Sequence, residues 1–302
     1  MLTVSSEPSR LTCDLCGHAL VRRVCPWTFW CRQCRIWQST LEPSIESRNG
    51  AIDECDRVEA LEHIRRANSA IILERLTRVM TLNGRRVLDV GCAYGWFLSA
   101  AARHGMAAVG IEPDAYTAGV ARNDGLDVRS GYFPASVPEG EIFDLVVFND
   151  VLEHIPGLHH VLATSATAVA PDGLIVISVP TTTGMLFRLA HVLALAGIVK
   201  PWERLWQKPF PSPHRYYFNR PALDRALARH GFARLHAEQT TAVRPRGLWA
   251  RLRFDRRSSL VANALLYGGL LLLYPVYRFA GRSDKELLIY ARNGADASTR
   301  SM

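Results

Sequence analysis

The chain has 302 residues, 48% of them hydrophobic and 21% charged, with 21 Gly and 16 Pro, which excludes a collagenous or wholly disordered polymer. Its length suits one large domain with a small appendage. The formal net charge of +8 is unevenly spread: residues 1–183 hold 16 bases and 21 acids, and residues 184–302 hold 20 and 7, so −5 stands against +13. That split predicts an anionic partner beside the second half, whether membrane surface, phosphorylated substrate or nucleic acid.

Met1 to Arg10 is polar and lacks an apolar signal core, so a cytoplasmic setting with reduced thiols is expected for the seven cysteines. Four of these fall in the spacing C-x2-C-x14-C-x2-C, at Cys13, Cys16, Cys31 and Cys34. Each C-x2-C turn can aim two thiolates at one Zn²⁺, and Gly17 suits a knuckle that needs positive φ. A segment of roughly 30 residues is too small to hold itself together by burial, so the zinc is structural and supplies folding energy. His18 or Cys25 could replace one ligand, and Cys55 and Cys92 have no evident role.

Val58, Leu61, Ile64, Ile71, Ile72, Leu76 and Val79 recur at mostly three- and four-residue spacing. This predicts one long helix over 52–80, or two joined near Asn68 and Ser69, with a stop at Asn83-Gly84. From Arg86 short apolar runs alternate with helical stretches. Strands are expected at Val87–Val90, Ala107–Ile111, Asp127–Arg129, Phe143–Phe148 and Leu174–Val179, with helices at 95–104, 114–123 and 158–169. The fold class is therefore α/β, a doubly wound, largely parallel sheet.

The run Val87-Leu88-Asp89-Val90-Gly91-Cys92-Ala93-Tyr94-Gly95-Trp96-Phe97 reads as strand, tight glycine turn and helix start, a turn that brings backbone N–H groups close to a ligand. About twenty residues on, Glu112 ends the next strand, where a carboxylate can accept both hydroxyls of a ribose. The spacing of Gly91 and Gly95 departs from G-x-G-x-x-G, which disfavours a dinucleotide reductase, and the chain has no G-x-x-x-x-G-K-[ST] phosphate loop.

These residues resemble a class I S-adenosylmethionine-dependent methyltransferase of the quinone and small-molecule group. The resemblance covers about residues 52–240 and the last strand. It rests on Asp89, Gly91 and Gly95, with Ala93 where a middle glycine is common, on Glu112, on Phe143 to Ile155 with its Leu152-Glu153-His154 turn, and on Ala170 to Leu174. It implies a Rossmann-like sheet of seven strands, Phe232–Ala237 forming the sixth and Lys285–Arg292 the seventh. It also implies that Asp89, Gly91, Ala93, Gly95, Glu112 and Asn149 hold S-adenosylmethionine. Asp150, Glu153 and His154, which in related quinone methyltransferases can hold a divalent cation or assist the acceptor, become catalytic candidates together with His214. His159 and His160 are expected at the surface. Asn149-Asp150-Val151-Leu152 lacks the paired prolines of enzymes that methylate planar nitrogens, so oxygen or carbon is the expected acceptor atom.

Two apolar stretches interrupt the second half: Gly184–Val199, and Leu260–Tyr277, which carries no charge over 18 residues. The latter would be about 27 Å long as a helix, near the ~30 Å hydrocarbon thickness of a bilayer. A single crossing would separate the sixth and seventh strands, so the expectation is a hairpin broken at Gly268-Gly269 or Pro275, or a shallow interfacial element. Peripheral contact at the inner face of a membrane competes with a lid in which the two inserts pack on each other. The segments are then a zinc-ribbon-like stretch at 1–45, a helical cap at 46–83, a cofactor core at 84–183, an acceptor-side half at 184–293 with inserts at 184–200 and 260–280, and a tail at 294–302. The expected function is methyl transfer to a hydrophobic or lipid-linked small-molecule or glycan acceptor. An RNA methyltransferase and a non-catalytic cofactor-binding scaffold are the alternatives.

Overall fold

The structure, a computed structural model, describes residues 11–45, 54–253, 259–279 and 284–293. Met1 to Arg10, the tail from 294 and the flanking Arg256, Arg257 and Arg282 lie outside the described residues. In chain order the elements begin with β1 (Val21–Arg22), β2 (Thr28–Trp30), β3 (Trp37–Ser39) and α1 (Glu54–Leu76). The core follows as β4 (Arg86–Val90), α2 (Trp96–Arg103), β5 (Ala107–Glu112), α3 (Ala115–Asn123), β6 (Asp127–Ser130), β7 (Phe143–Asn149), a 3-10 turn at Leu152–His154, α4 (Leu158–Ala168) and β8 (Val169–Pro180). Next come α5 (Met185–Leu195), α6 (Lys200–Leu205), β9 (Tyr216–Tyr217), α7 (Arg220–Ala228), β10 (Phe232–Thr240), α8 (Leu248–Arg253), α9 (Leu260–Phe279) and β11 (Lys285–Arg292).

The main sheet has seven strands in the order β10-β11-β8-β7-β4-β5-β6, and β11 runs antiparallel to both neighbours while the other pairs are parallel. The apolar runs are continuous because both faces of the sheet are covered. Leu88, Val146, Phe148, Ile175 and Ile177 point to one face, under α4, α7 and the cysteine segment. Val87, Leu145, Val147, Leu174 and Val176 point to the other, under α1 and α2. The parallel strands carry their C-terminal ends, and so the turns after β4, β5 and β7, to one edge, where α/β folds bind ligands.

The cysteine segment forms a second, antiparallel sheet, β1-β2-β3-β9, whose last strand comes from residues 216–217. Ser39 Oγ donates to His214 O at 2.7 Å and Ser39 N–H to Arg215 O at 2.8 Å. Asn219 Nδ2 donates to the carbonyls of Cys34 (2.9 Å) and Arg35 (2.8 Å), and the Tyr216 hydroxyl donates to Asp14. Trp37 sits in an aromatic cluster with Phe187, Trp202, Trp206 and Tyr217.

One alternative is resolved and three expectations need correction. The helix over 52–80 is a single α1, because Asn68 and Ser69 are buried and Ser69 Oγ donates back to Arg65 O at 2.9 Å instead of breaking the turn. It ends at Leu76, and Asn83-Gly84 lie in the turn into β4, Gly84 at φ +76°. The second insert is one uninterrupted helix, since α9 runs through Gly268, Gly269 and Pro275. A stripe packed against the protein on one side, through Tyr267, Leu270, Tyr274 and Tyr277, outweighs those local breakers. The inserts meet only in part: the first turn of α5 joins α9, and the rest of its buried side covers the aromatic cluster at Trp37.

Candidate active site

The turn after β4 places Gly91 at φ +67°, Ala93 at +48° and Gly95 at +74°. Gly91 and Gly95 are sterically enforced: a Cβ would lie 2.4 Å from Val151 Cγ2 in the first case and 2.3 Å from Leu126 Cδ1 in the second. Ala93 adopts the left-handed conformation at a cost of about 1–2 kcal/mol. Glu112, buried at the end of β5, holds this turn, its Oε2 accepting from Ala93 N–H and its Oε1 from Asp114 N–H, both at 2.9 Å. A carboxylate retains lone pairs for further donors after two such bonds. Asp89 is buried beneath the turn, and burial pushes its carboxyl up to about 8 against the pull of Arg65. At the end of β7, Asn149 Oδ1 is buried without a hydrogen-bond partner.

Beyond β7 the chain turns sharply at Asp150 (φ +59°), whose N–H donates to Ser178 O at 2.8 Å. Its carboxylate accepts from Arg65 Nη1 at 2.7 Å and pairs with Lys285 Nζ. Burial opposes ionisation here, but Lys285 and Arg65 outweigh it and hold the group at about 2. Glu153 is 2% exposed, and burial reinforced by Asp150 raises it to about 8, while its Oε2 has no partner.

His154 Nδ1 lies 3.0 Å from Pro213 O, an acceptor only, so that nitrogen carries the proton and Nε2 is a bare base, 3.9 Å from Glu153 Oε1. Burial lowers His154 to about 4. His214 packs edge-on to it, ring centroids 4.7 Å apart. The Tyr217 hydroxyl gives its proton to Leu205 O at 2.8 Å and lies 3.1 Å from His214 Nδ1, which therefore donates to it. Gln207 Nε2 lies 2.9 Å from His214 Nε2 and donates to it. Ligand atoms of Glu153, His154 and His214 all fall within 4.8 Å of one another, a group that does not include Asp150, engaged by its two cations.

His159 and His160 are exposed on α4. Sequence reasoning passed over Arg65, Lys285, Gln207 and Tyr217. Lys285 could have been flagged as a base opening the strand that the resemblance returns to the sheet, and Arg65 as a cation within an apolar helical repeat.

In the cysteine segment the Sγ atoms of Cys13, Cys16, Cys31 and Cys34 lie within 4.8 Å of one another, and Cys16 and Cys31 are 3.5 Å apart. Four thiolates at ~2.3 Å from a tetrahedral Zn²⁺ would stand about 3.8 Å apart, so the set fits that ion. Burial raises the Cys34 thiol to about 12, and a bound cation reverses this by selecting the thiolate. His18 is exposed, and Cys25 is buried in the Trp37 cluster outside the group.

A family profile described as a methyltransferase domain matches residues 60–237. The chain is 32% identical over 146 residues to the mitochondrial ubiquinone biosynthesis O-methyltransferase of Mus musculus, covering 44% of this chain and 39% of that one. It is 32% identical over 125 residues to the ubiquinone biosynthesis O-methyltransferase of Rhizobium johnstonii, covering 39% and 50%. The chain thus spans half or less of the length of these relatives. Among solved structures, the Haemonchus contortus phosphoethanolamine N-methyltransferase 2 with S-adenosylhomocysteine superposes with TM-score 0.52 at 18% identity, over 76% of this chain and 52% of that one. The magnesium protoporphyrin IX methyltransferase of Synechocystis superposes with TM-score 0.50 at 15% identity, over 76% and 83%, which speaks to fold alone. The profile spans more than half of the sequence, and the chain belongs to the methyltransferase-domain family of S-adenosylmethionine-dependent enzymes.

Proposed function

We propose that this chain methylates an oxygen or carbon of a hydrophobic or lipid-linked small-molecule acceptor, at the end of β7. The observation that carries the proposal is a pair of buried, unmatched polar atoms four residues apart there, Asn149 Oδ1 and Glu153 Oε2. Folded proteins rarely leave such atoms unpaired, and a pair of them beside the glycine turn is accounted for by a bound group. Asn149 continues the strand beside the Gly91–Gly95 turn, so it belongs with Asp89, Gly91, Ala93, Gly95 and Glu112 in holding the cofactor. Glu112, placed at the end of β5 beside the turn, would accept the ribose hydroxyls.

S-adenosylmethionine supplies a methyl group on a sulfonium, already a good leaving group, so the protein's share is mostly alignment. His154 Nε2, unprotonated and buried, accepts the proton of an acceptor hydroxyl. Glu153, neutral near pH 7, donates a hydrogen bond to the acceptor. Asp150 fixes Arg65 and Lys285 beside it, which favours an acceptor carrying negative charge. His214 holds the orientation of His154 by ring contact. The names of the ubiquinone-pathway relatives support oxygen as the methylated atom. The four cysteines hold a structural Zn²⁺.

The test is methyl-labelled cofactor incubated with the full chain and a cell extract, with label partitioned among lipid, RNA, protein and polar fractions. Label in the organic phase supports the proposal, and label in RNA overturns it. Retained cofactor binding with no label anywhere would favour a scaffold.

A further inference from the structure

The polarity of α9 is inverted. Its residues Asn263, Tyr267, Leu270, Tyr274 and Tyr277 fall at steps of four and three, one helix face, and this is the side turned to the protein. Four of those five carry a polar group. Tyr277 hydrogen-bonds to Asp284 and meets Thr241 Oγ1 at 2.7 Å, and Tyr267 stands edge-on to Trp249. The opposite side is aliphatic and open: Leu272 is 80% exposed, Leu265 74% and Val261 71%. A helix on a water-soluble surface places these classes the other way round, so this outer side is matched to an apolar phase. The first turn of α5 packs into the same cluster, and its own outer side exposes Leu189, Val192 and Leu195.

Charge selects the occupant. Helices α5, α8 and α9 contain no acidic residue, and among the described residues of 241–279 the exposed charges are Arg246, Arg253 and Arg278, with no acid. In a two-fold dimer this patch would face its own copy and repel it, whereas anionic headgroups complement it. Depth follows from packing and topology. α9 keeps one side on protein from Asn263 to Tyr277, and β10 and β11, which flank it in sequence, pair with each other. A spanning helix would leave that side in lipid and part those strands.

We propose that α9, with the outer side of α5, lies flat on an anionic lipid bilayer. Tyr277 pins the end of α9 to Asp284, and the next residue, Lys285, pairs with Asp150. On the methyl-transfer proposal above, the bilayer therefore adjoins the acceptor side, and a lipid-borne acceptor reaches the site without crossing water. The docking itself does not depend on that chemistry.

The experiment is flotation of the full chain with phosphatidylcholine vesicles, with and without phosphatidylglycerol, at low and high salt. The expected result is binding to the anionic vesicles that weakens with salt, and that falls at least about tenfold in Leu265→Asp/Leu272→Asp with melting and cofactor affinity unchanged. Arg253→Gln/Arg278→Gln should lower the preference for phosphatidylglycerol while the aliphatic face stays intact. Failure to float with anionic vesicles, or equal flotation of the aspartate variant, overturns the proposal. So does a dimer, measured by light scattering, that the aspartate variant converts to monomer without any vesicle binding. Since none of these readouts uses turnover, they separate a failure of docking from a failure of the methyl-transfer proposal.

Discussion

With Zn²⁺ held at the four cysteines as proposed, stripping it by chelation or by Cys31→Ser is expected to release His214 from its place beside His154. Beside the β3–β9 pairing and the side-chain ties of Tyr216 to Asp14 and of Arg215 to Leu41 O and Glu42, four further hydrogen bonds join the 214–219 segment to the cysteine segment: Ser39 Oγ to His214 O, Ser39 N–H to Arg215 O, and Asn219 Nδ2 to Cys34 O and to Arg35 O. At about 1 kcal/mol net per bond they contribute about 4 kcal/mol. Ordering backbone costs about 1–2 kcal/mol per residue, so a contribution of that size decides whether so short a segment stays fixed. A loss of about 4 kcal/mol corresponds to about a thousandfold change in the ordered population. Hydrogen exchange of a peptide spanning 213–219, before and after chelation, reads this directly. Protection should fall by up to about that factor, while cofactor affinity changes by no more than about twofold. The turn at Gly91 is held by Ile111 O and Glu112, not by the cysteine segment. Unchanged exchange at 213–219 in a protein whose cysteine segment exchanges freely would refute the reasoning.

Other perturbations probe the site. Glu112→Ala removes the acceptor of two backbone N–H groups and the proposed ribose contact, so calorimetry should show cofactor affinity down about 10- to 100-fold. Ala93→Gly should keep cofactor binding and raise stability by up to about 1 kcal/mol, because it relieves a left-handed alanine, and Ala93→Val should lower the melting temperature. Asp150→Asn strands Lys285 and Arg65 and should cost about 3–5 kcal/mol in denaturant unfolding, part of which Asp150→Asn/Lys285→Met restores. Asp89 and Glu153 hold their protons to about 8 in the folded chain, against 3.8 and 4.5 ordinarily, so the unfolded chain binds fewer protons in that window and stability falls as pH rises through it. His154, at about 4 against 6.5, acts oppositely only below 6.5. The cofactor-free protein should therefore lose melting temperature between about pH 6.5 and 8, less steeply in Glu153→Gln, and a flat profile would contradict both assignments.

The central sheet was legible because its chemistry is local. Glycines forced into left-handed turns, runs of Val, Leu and Ile buried on both sides, and a carboxylate ending a strand all announce themselves within about ten residues. Contacts made across the chain were not. Nothing near Tyr216 and Tyr217 signals that they complete a sheet begun at Val21, because two residues are too few to show a period. Nor does the surrounding sequence mark Lys285 as the partner of Asp150, 135 positions earlier, counting from 285 back to 150. Helix breakers misled in α9 for a related reason: glycine and proline report local preference, and the packed face from Asn263 to Tyr277 overrode it.

The strand that residues 216–217 lend to the small sheet sets an order of events during synthesis. All four cysteines lie within the first 34 residues, so metal can be captured as soon as that stretch leaves the ribosome. The strand that covers the edge of β3 arrives only at residues 216–217. At ~5–20 residues per second the gap is roughly ten to forty seconds. Through that interval β3 presents an unpaired edge and Trp37 lacks the Phe187, Trp202 and Trp206 that later enclose it. A nascent chain in this state is open to edge-to-edge association, so the yield of soluble protein in cell-free translation should respond to zinc supply and to chaperones chiefly before residue 217 emerges.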